Sequence, residues 1–266
     1  MNKPLFSIIT TCKNSANTVR QTIESVLSQR GDFEIEYIFT DALSTDGTRE
    51  IIAEYGDKIK LIDAPKLNQS EGINLGFQMA KGDYIAFINA DDVYQAGAFD
   101  LADRAFRCNP DKLWLVGQCD IIDEKGFPMH GFISRYKNFL LKNYSYFLLL
   151  TENFICQPAV FLRRSALETC GYLDTSENLA MDYEWWLRIG RDNSPIIINE
   201  KLASFRRMRN TKSNRFFVQQ FKDDLRLSLK YSKLAGAAAR MAIPFKYFNY
   251  LKTISAYSLI YKPSKS

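Results

Sequence analysis

Histidine is all but missing from this 266-residue chain, with His130 its single copy, and the five cysteines (Cys12, Cys108, Cys119, Cys156, Cys170) are scattered and never form Cys-x-x-Cys. Neither a Cys/His zinc site nor a disulfide framework fits that pattern, whereas buried, reduced thiols do. His130, in the loop-like stretch 126–131, reads as a surface or packing residue. Long apolar runs are absent too: the nearest, 139–150, is broken by Lys142, Asn143 and Ser145, so no segment reaches the roughly 18 apolar residues of a membrane span. The apolar stretch 5–9 is too short for a signal-peptide core and no small-residue cleavage site follows it, which makes a cytoplasmic protein the expectation. A Gly-rich phosphate loop is lacking after the first apolar run, where Thr10-Thr11-Cys12-Lys13-Asn14 stands instead. No internal repeat or low-complexity tract appears.

What the chain does have is enough apolar residue, 46% against 24% charged, to bury one large core. Its charge is uneven: residues 201–266 hold 15 Lys/Arg against 2 Asp/Glu, while the first 200 hold 20 against 28. A basic tail follows an acidic body.

Apolar patterning in the body alternates between strand and helix: strands at 6–11, 36–40, 59–62 and 84–88, and helices at 18–28, 48–54 and 72–80. That alternation predicts an α/β fold with a mostly parallel sheet flanked by helices. Strands at 113–117, 159–162 and 196–198 and an aromatic-rich helix at 181–189 are read as a second half of the same domain, spanning 1–210 in all. From 211 to 266 a basic, aromatic helical extension is expected, its helix from Arg215 to Arg240 ended or kinked by Pro244.

Ligands in such sheets bind beyond the carboxyl ends of the strands, so the residues just after each strand are read first: Thr11, Asp41 and Asp91-Asp92. Asp41 stands at a strand end and not at a capping offset, whereas Asp46, in Asp46-Gly47-Thr48, suits a turn or helix cap. Asp91 and Asp92 are adjacent carboxylates at the same edge, the type of ligand hard divalent cations share with a substrate's phosphates. Asp182 opens an otherwise apolar helix, where it either faces the helix dipole or is desolvated by neighbouring aromatics and so tuned as a base.

Taken in order, Ser7-Ile8-Ile9-Thr10-Thr11, Thr40-Asp41 with Ser44-Thr45-Asp46-Gly47-Thr48, Lys81-Gly82-Asp83-Tyr84 through Asn89-Ala90-Asp91-Asp92, and Met181-Asp182-Tyr183-Glu184-Trp185-Trp186 resemble the family 2 glycosyltransferases over roughly 5–205. The resemblance implies a GT-A fold, Mn2+ or Mg2+, inversion at the anomeric carbon, and a nucleotide-diphosphate-sugar donor, a UDP-sugar foremost. By the same resemblance Thr11 and Asp41 hold the nucleobase, Asp91 binds metal with Asp92 in support, and Asp182 is the general base. One departure is Asn89, which stands where the family's Asp-x-Asp motif begins; its amide can bond a ribose hydroxyl but brings no charge to a metal. Gln157-Pro158 resembles a stretch lining the family's acceptor side. The Gln-x-x-Arg-Trp signature of the processive synthases is absent, which favours transfer of a single sugar to a glycan or lipid-linked acceptor, as in surface glycan assembly.

Two other readings stay open: a catalytically inactive sugar-nucleotide binding module, and a nucleotidyltransferase on a related fold. Nucleic acid is not an expected partner. The run Arg206, Arg207, Arg209 would fold over a diphosphate or form a solvated loop. The basic tail, with Phe216, Phe217, Phe221, Phe245, Tyr247, Phe248, Tyr250 and Tyr257 among its cations, either lies on an anionic membrane at its inner face or packs on the domain.

Overall fold

Side chains alternate between the two faces of a strand, and here both faces are apolar. Residues Phe6, Ile8, Tyr37, Phe39 and Leu115 build one core layer, while Ile9, Ile38, Trp114 and Val116 build the other. Such two-sided burial needs helices on both faces. The computed structural model describes residues 3–129, 131–208 and 216–260, with 256–260 by backbone alone. His130, Arg209 and the side chain of Tyr257 lie outside the described residues.

In chain order the first half comprises β1 (Leu5–Cys12), α1 (Val19–Leu27), β2 (Glu34–Asp41), α2 (Thr48–Ala53), β3 (Lys60–Asp63), α3 (Gln69–Met79), β4 (Tyr84–Phe87), β5 (Val93–Tyr94) and α4 (Ala98–Cys108). Then come β6 (Trp114–Ile122), α5 (Phe132–Lys142), α6 (Tyr146–Thr151), β7 (Val160–Arg163), α7 (Ser165–Cys170), α8 (Met181–Asp192) and β8 (Ile196–Arg206). Three helices follow: α9 (Phe217–Leu234), α10 (Ala237–Arg240) and α11 (Ile243–Ile260).

The sheet runs β3-β2-β1-β4-β7-β6-β8-β5. Its first four strands are parallel, β7 pairs antiparallel with both β4 and β6, and β8 runs parallel to β6. Because β1, β2 and β4 run parallel, their carboxyl ends lie together at one edge. This is the mixed, mostly parallel sheet the alternation predicts.

Helix α8 is held against the sheet by stacked indoles: Trp186 lies 5.7 Å from Trp114 at 9° and 5.4 Å from Trp185, and Trp185 meets Phe77 at 5.6 Å. Leu227, Tyr231 and Ala242 of the C-terminal segment join the same core layer. The extension therefore packs on the body, through Ser228 Oγ to the Leu150 carbonyl at 2.6 Å and Arg226 to Glu177 at 2.5 Å.

Two expectations about that extension are corrected. The helix spanning 215–240 is broken at Gly236, whose φ of 99° is open to glycine and costly for other residues. Pro244 does not end a helix; it is the second residue of α11, in the first turn where a missing N–H costs nothing. Helix α4, three helices of the middle region (α5, α6, α7) and the short strand β5 are additions to the sequence reading.

Candidate active site

The edge formed by β1 and β2 is stitched before any ligand arrives. Asn14, at φ 53°, receives Thr45 N–H on Oδ1 at 3.0 Å and donates its own N–H to Ser44 Oγ at 2.8 Å. Ser15 N–H donates to Thr48 Oγ1 at 2.7 Å. Asp46 accepts from Ala16 N–H at 3.0 Å and from Thr48 N–H at 3.1 Å, so it closes the turn its sequence suggests, while the N-cap of α2 is Gly47 and not Asp46.

Asp41 is fully buried beneath this edge. Its carboxylate accepts from Ser44 N–H (3.0 Å), Ser44 Oγ (2.5 Å) and Arg49 Nη1 (2.7 Å), and Arg49 also pairs with Asp63 at 2.7 Å. Burial pushes its pKa up, but these donors outweigh burial and hold it below the usual carboxylate range. Thr11, half-buried, adjoins it across the β1–β2 register, in which Thr11 faces Thr40. Gly72 of α3 lets the helix approach there, because a Cβ would stand 3.0 Å from Thr11 Oγ1 and 3.1 Å from Thr40 Oγ1. The buried Thr40 hydroxyl has no hydrogen-bond partner among the described residues.

The loop after β4 lies next to β1, since Ile88 N–H donates to the Ile9 carbonyl at 2.9 Å. Asn89 Oδ1 accepts from Gln69 Nε2 at 2.8 Å, and its Nδ2 reaches Asp92 Oδ2 at 3.3 Å and Gln157 Oε1 at 3.4 Å. Gln157 is fixed in turn by donating to the Phe87 carbonyl at 2.6 Å. Asp91 and Asp92 differ sharply. Asp92 is fully buried and accepts Arg206 N–H at 2.8 Å, while Asp91 is half-buried and its carboxylate meets no side-chain donor among the described residues. Burial raises both pKa values, that of Asp92 well above the ordinary range with the neighbouring Asp91 adding to it.

Arg206 does not fold over a diphosphate. Its guanidinium is buried, donating to the carbonyls of Asp91 (2.7 Å), Asp123 (3.1 Å) and Glu124 (3.2 Å) and to Gln21 Oε1 (2.6 Å). The diphosphate reading of the arginine run is thereby corrected at this position. A guanidinium with five donors can satisfy four acceptors on different segments, which a lysine could not.

Asp182 lies in the first turn of α8, half-buried, with Oδ1 accepting Tyr183 N–H at 2.7 Å. Burial raises its pKa, opposed by that N–H and by the Lys137 ammonium of α5. Its charge is felt by the Cys156 thiol, and Cys156 precedes the Gln157 that touches Asn89. Glu184, two residues on, is occupied: Arg188 donates to it at 3.1 and 2.8 Å, and Tyr231 Oη makes a short bond to it. Thr11, Asp41, Asn89, Asp91 and Asp92 thus share one sheet edge, and Met181, the neighbour of Asp182, is tied towards it by Ser70 Oγ, which donates to its sulfur at 2.8 Å next to the Gln69 that bonds Asn89.

The family model described as "Glycosyl transferase family 2" matches residues 7–171, which is more than half of the chain. The chain belongs to glycosyl transferase family 2. The matched span holds every residue of the edge but stops short of Asp182.

Among curated relatives, an uncharacterized glycosyltransferase of Methanocaldococcus jannaschii is 27% identical over 77% of this chain and 72% of its own. An uncharacterized glycosyltransferase of Rickettsia prowazekii is 28% identical over 76% of this chain, which spans 64% of that relative's length. The Bacillus subtilis protein TuaG, named for teichuronic acid biosynthesis, is 35% identical over 35% of this chain and 38% of its own. Two solved structures share the fold. Staphylococcus aureus TarS 1–349 has a TM-score of 0.70 at 16% identity, covering 98% of this chain and 75% of that one. The Pyrobaculum calidifontis mannosyltransferase PcManGT, solved with GDP-Man and Mn2+, has 0.63 at 16%, covering 98% and 82%. The fold of this glycosyltransferase is GT-A.

The sequence reading missed Gln69 and the inward roles of Arg206 and Asp92. Gln69 was findable, because Asn68-x-x-Glu71 is a capping box that starts α3 one turn before the expected helix. Arg206→Met removes four hydrogen bonds that tie the loop after β4 to α1 and to the turn after β6. The expected cost is about 3 kcal/mol of stability, read as a loss of roughly 10 °C in Tm. An unchanged Tm with weakened nucleotide binding would instead restore the diphosphate reading.

Proposed function

We propose that this family 2 glycosyltransferase moves a single sugar from a nucleotide-diphosphate sugar to an acceptor hydroxyl, with inversion, and that Asp182 is its general base. The observation that carries the reading is the contrast between two neighbouring carboxylates. Glu184 is saturated with donors, whereas Asp182 is half-buried, accepts only the Tyr183 N–H among the described residues, and follows Met181, whose sulfur accepts from Ser70 beside the Gln69 that bonds Asn89. An acceptor hydroxyl is a weak nucleophile, and a carboxylate of raised pKa is the group to take its proton.

The donor's nucleoside is assigned to Thr11, Asp41 and the edge around them, and its diphosphate to the loop after β4. UDP-sugars and GDP-sugars both fit: TarS has been solved with UDP and with UDP-GlcNAc, and PcManGT with GDP-Man. Asp41 is covered by Ser44 and Arg49, so its part is to orient Arg49 and the 42–48 loop against the base. Asn89, bonded to Gln69, Asp92 and Gln157, is assigned to the ribose.

A divalent cation, Mn2+ or Mg2+, fits this loop. Asp91 has a desolvated carboxylate without a side-chain donor, and among the described residues no group of three His, Cys, Asp or Glu forms a cage. Such a loop suits a metal that completes its shell with donor phosphates and water. When bound, the metal would offset the charge gathering on the leaving diphosphate. Asp91 would contact it directly. Asp92, fully buried, is assigned the support of that loop through Arg206 and Asn89.

In the transfer itself Asp182 accepts the hydroxyl proton while the acceptor oxygen forms its bond to the anomeric carbon. The bond from that carbon to the diphosphate oxygen breaks, and its electron pair leaves with the nucleoside diphosphate. Attack from the face opposite the leaving group inverts the configuration.

The acceptor is assigned to surface-glycan chemistry, on a glycan or a lipid carrier, in line with TuaG by name. Large apolar side chains stand in solvent on α5 and α11, Phe132 at 79% and Phe248 at 67% exposure, with Phe139, Phe245 and Leu251 also mostly exposed. The two helices meet where Lys252 Nζ lies 5.6 Å from the Tyr136 ring, beside the Lys137 that acts on Asp182. Apolar side chains ringed by cations suit an anionic membrane surface, and among the described residues no helix is long and apolar enough to cross one.

Asp182→Asn keeps the side chain's size and removes its basicity. Release of nucleoside diphosphate is expected to fall at least about 100-fold, while the Mn2+-dependent thermal shift given by UDP-GlcNAc or GDP-mannose persists. Near-normal turnover of that variant with an inactive, folded Glu184→Gln would overturn the base assignment. Asp91→Ala is expected to lose the metal-dependent part of the thermal shift, and activity of that variant in EDTA would overturn the metal assignment. Sedimentation with anionic but not neutral liposomes at low salt is expected, and a Phe132→Ser/Phe248→Ser protein should stay in the supernatant. Recovery of the wild-type protein in the supernatant with both vesicles would refute the membrane contact.

A further inference from the structure

The excess of cations in the tail is only partly used by the face that α5 and α11 share, and much of the remainder stands on α9. Lys222, Arg226, Lys230 and Lys233 are all exposed, and spacings of four, four and three residues put them on one face of the helix. Leu225 and Leu229, half-buried, lie between them, and these six side chains line an open groove of about 400 Å3. Few acidic groups face it. Glu177, ahead of α8, and Asp223 of α9 both pair with Arg226, at 2.5 and 3.4 Å. Asp174, whose carboxylate accepts from Ser176 N–H at 2.9 Å and Ser176 Oγ at 2.6 Å, is the carboxylate nearest in effect to Lys230. Lys222, Lys230 and Lys233 form no ion pair among the described residues, and Lys230 lies instead 5.4 Å from the centre of the Tyr231 ring.

The loop 171–180 joins this groove to the candidate site. Arg226 fastens α9 to Glu177, and two residues earlier the Thr175 carbonyl accepts from Asn68 Nδ2 at 3.3 Å. Asn68 caps α3, whose next residue, Gln69, bonds Asn89. In the other direction the chain runs on from Glu177 to Met181, held by Ser70, and to Asp182.

We propose that the α9 groove is a track for an acidic glycan acceptor, a saccharide chain bearing single negative charges at intervals, which lies along the helix and is led over the 171–180 loop to Asp182. The proposal rests on the transferase reading above and names the class of its acceptor. Ammonium groups act as separate point charges, whereas a diphosphate is best held by the planar fork of arginine, and the one arginine here is already taken by two carboxylates. The free cations therefore suit single charges spread along a chain. At 1.5 Å of rise per residue, Lys222 to Lys233 span about 16 Å, the scale of an oligosaccharide and not of one phosphate. The two leucines supply an apolar floor for the faces of sugar rings. Because they are half-buried, they do not project into solvent as Phe132 and Phe248 do, which sets the groove apart from the face assigned to the membrane.

The test is a binding titration of the full-length protein with a short oligogalacturonate, and with a maltooligosaccharide of equal length as the neutral probe. The acidic probe is expected to bind, more weakly as salt rises, and the neutral probe is not. Lys222→Gln/Lys230→Gln/Lys233→Gln should weaken that binding about 10-fold while Tm and the nucleotide-dependent thermal shift stay as in the wild-type protein. In the complex, a nitroxide at one end of the acidic probe should broaden the Met181 methyl signal. Equal binding of both probes, or unchanged affinity in the triple variant, overturns the proposal. Met181 left untouched by a label at either end overturns it too, since the groove would then lead nowhere near the base. A triple variant that keeps the glycan affinity but loses sedimentation with anionic vesicles assigns the lysines to a membrane and overturns it as well. Absence of any nucleotide-dependent thermal shift in the wild-type protein overturns the transferase reading instead, and with it the groove's part as an acceptor track.

Discussion

The Arg206 guanidinium is the constraint on which the candidate site depends. It is the end of β8, yet its donors reach the loop after β4, the turn after β6 and a side chain of α1. Those segments are far apart in sequence, and a single buried cation ties them together. Leaving such a guanidinium without its acceptors is costly, so the loop carrying Asp91 and Asp92 is held in one arrangement. Thr18 and Thr22 of α1 reinforce it by donating to the Ala90 and Asp92 carbonyls, both at 2.8 Å. Preorganisation of this type lets a flexible surface loop hold a carboxylate at a fixed place beside a strand end.

A second constraint places the base. Trp185 and Trp186 bury α8 against the sheet, and its first turn is held against the start of α3, where Ser70 Oγ donates to the Met181 sulfur at 2.8 Å. The same burial removes water from Asp182 and raises its proton affinity, so packing and tuning have one cause. Arg188 and Tyr231 neutralise and saturate Glu184, which sets that structural carboxylate apart from Asp182, the proposed base. The C-terminal helices enter this division directly, since Tyr231 belongs to α9.

The parallel half of the fold was legible because β1, β2 and β4 are short apolar runs followed at once by polar residues, and their ends needed no tertiary information to be found. The Asp46 turn was legible for the same local reason, and the Asn68 capping box, equally local, was passed over. The inward turn of Arg206 and Asp92 was not, because a charge run and a paired aspartate look identical whether they face solvent or each other's segments. Gly236 was passed over because the basic, helix-forming residues on both sides outweigh one glycine in any pattern, while a φ of 99° overrides them in the chain. Strand β5, two residues long, and helices α6 and α7, six residues each, are too short to show a period, whereas α4 and α5, eleven residues each, are amphipathic and were passed over. Asp224 and Lys246 read as ordinary members of a basic surface helix; only the packing of α9 and α11 over α8 shows them to be buried.

The central claim is that Asp91 at the end of β4 receives the metal that accompanies a nucleotide-sugar donor, with Asp92 held behind it. Anomalous diffraction from crystals of the protein with Mn2+ and UDP tests it most directly. The account predicts one manganese peak, at about 2.1 Å from an Asp91 carboxylate oxygen and in contact with the diphosphate, with Asp92 still bonded to Arg206 N–H. A peak coordinated elsewhere, or a diphosphate bound at this edge with no contact between metal and Asp91, would contradict it.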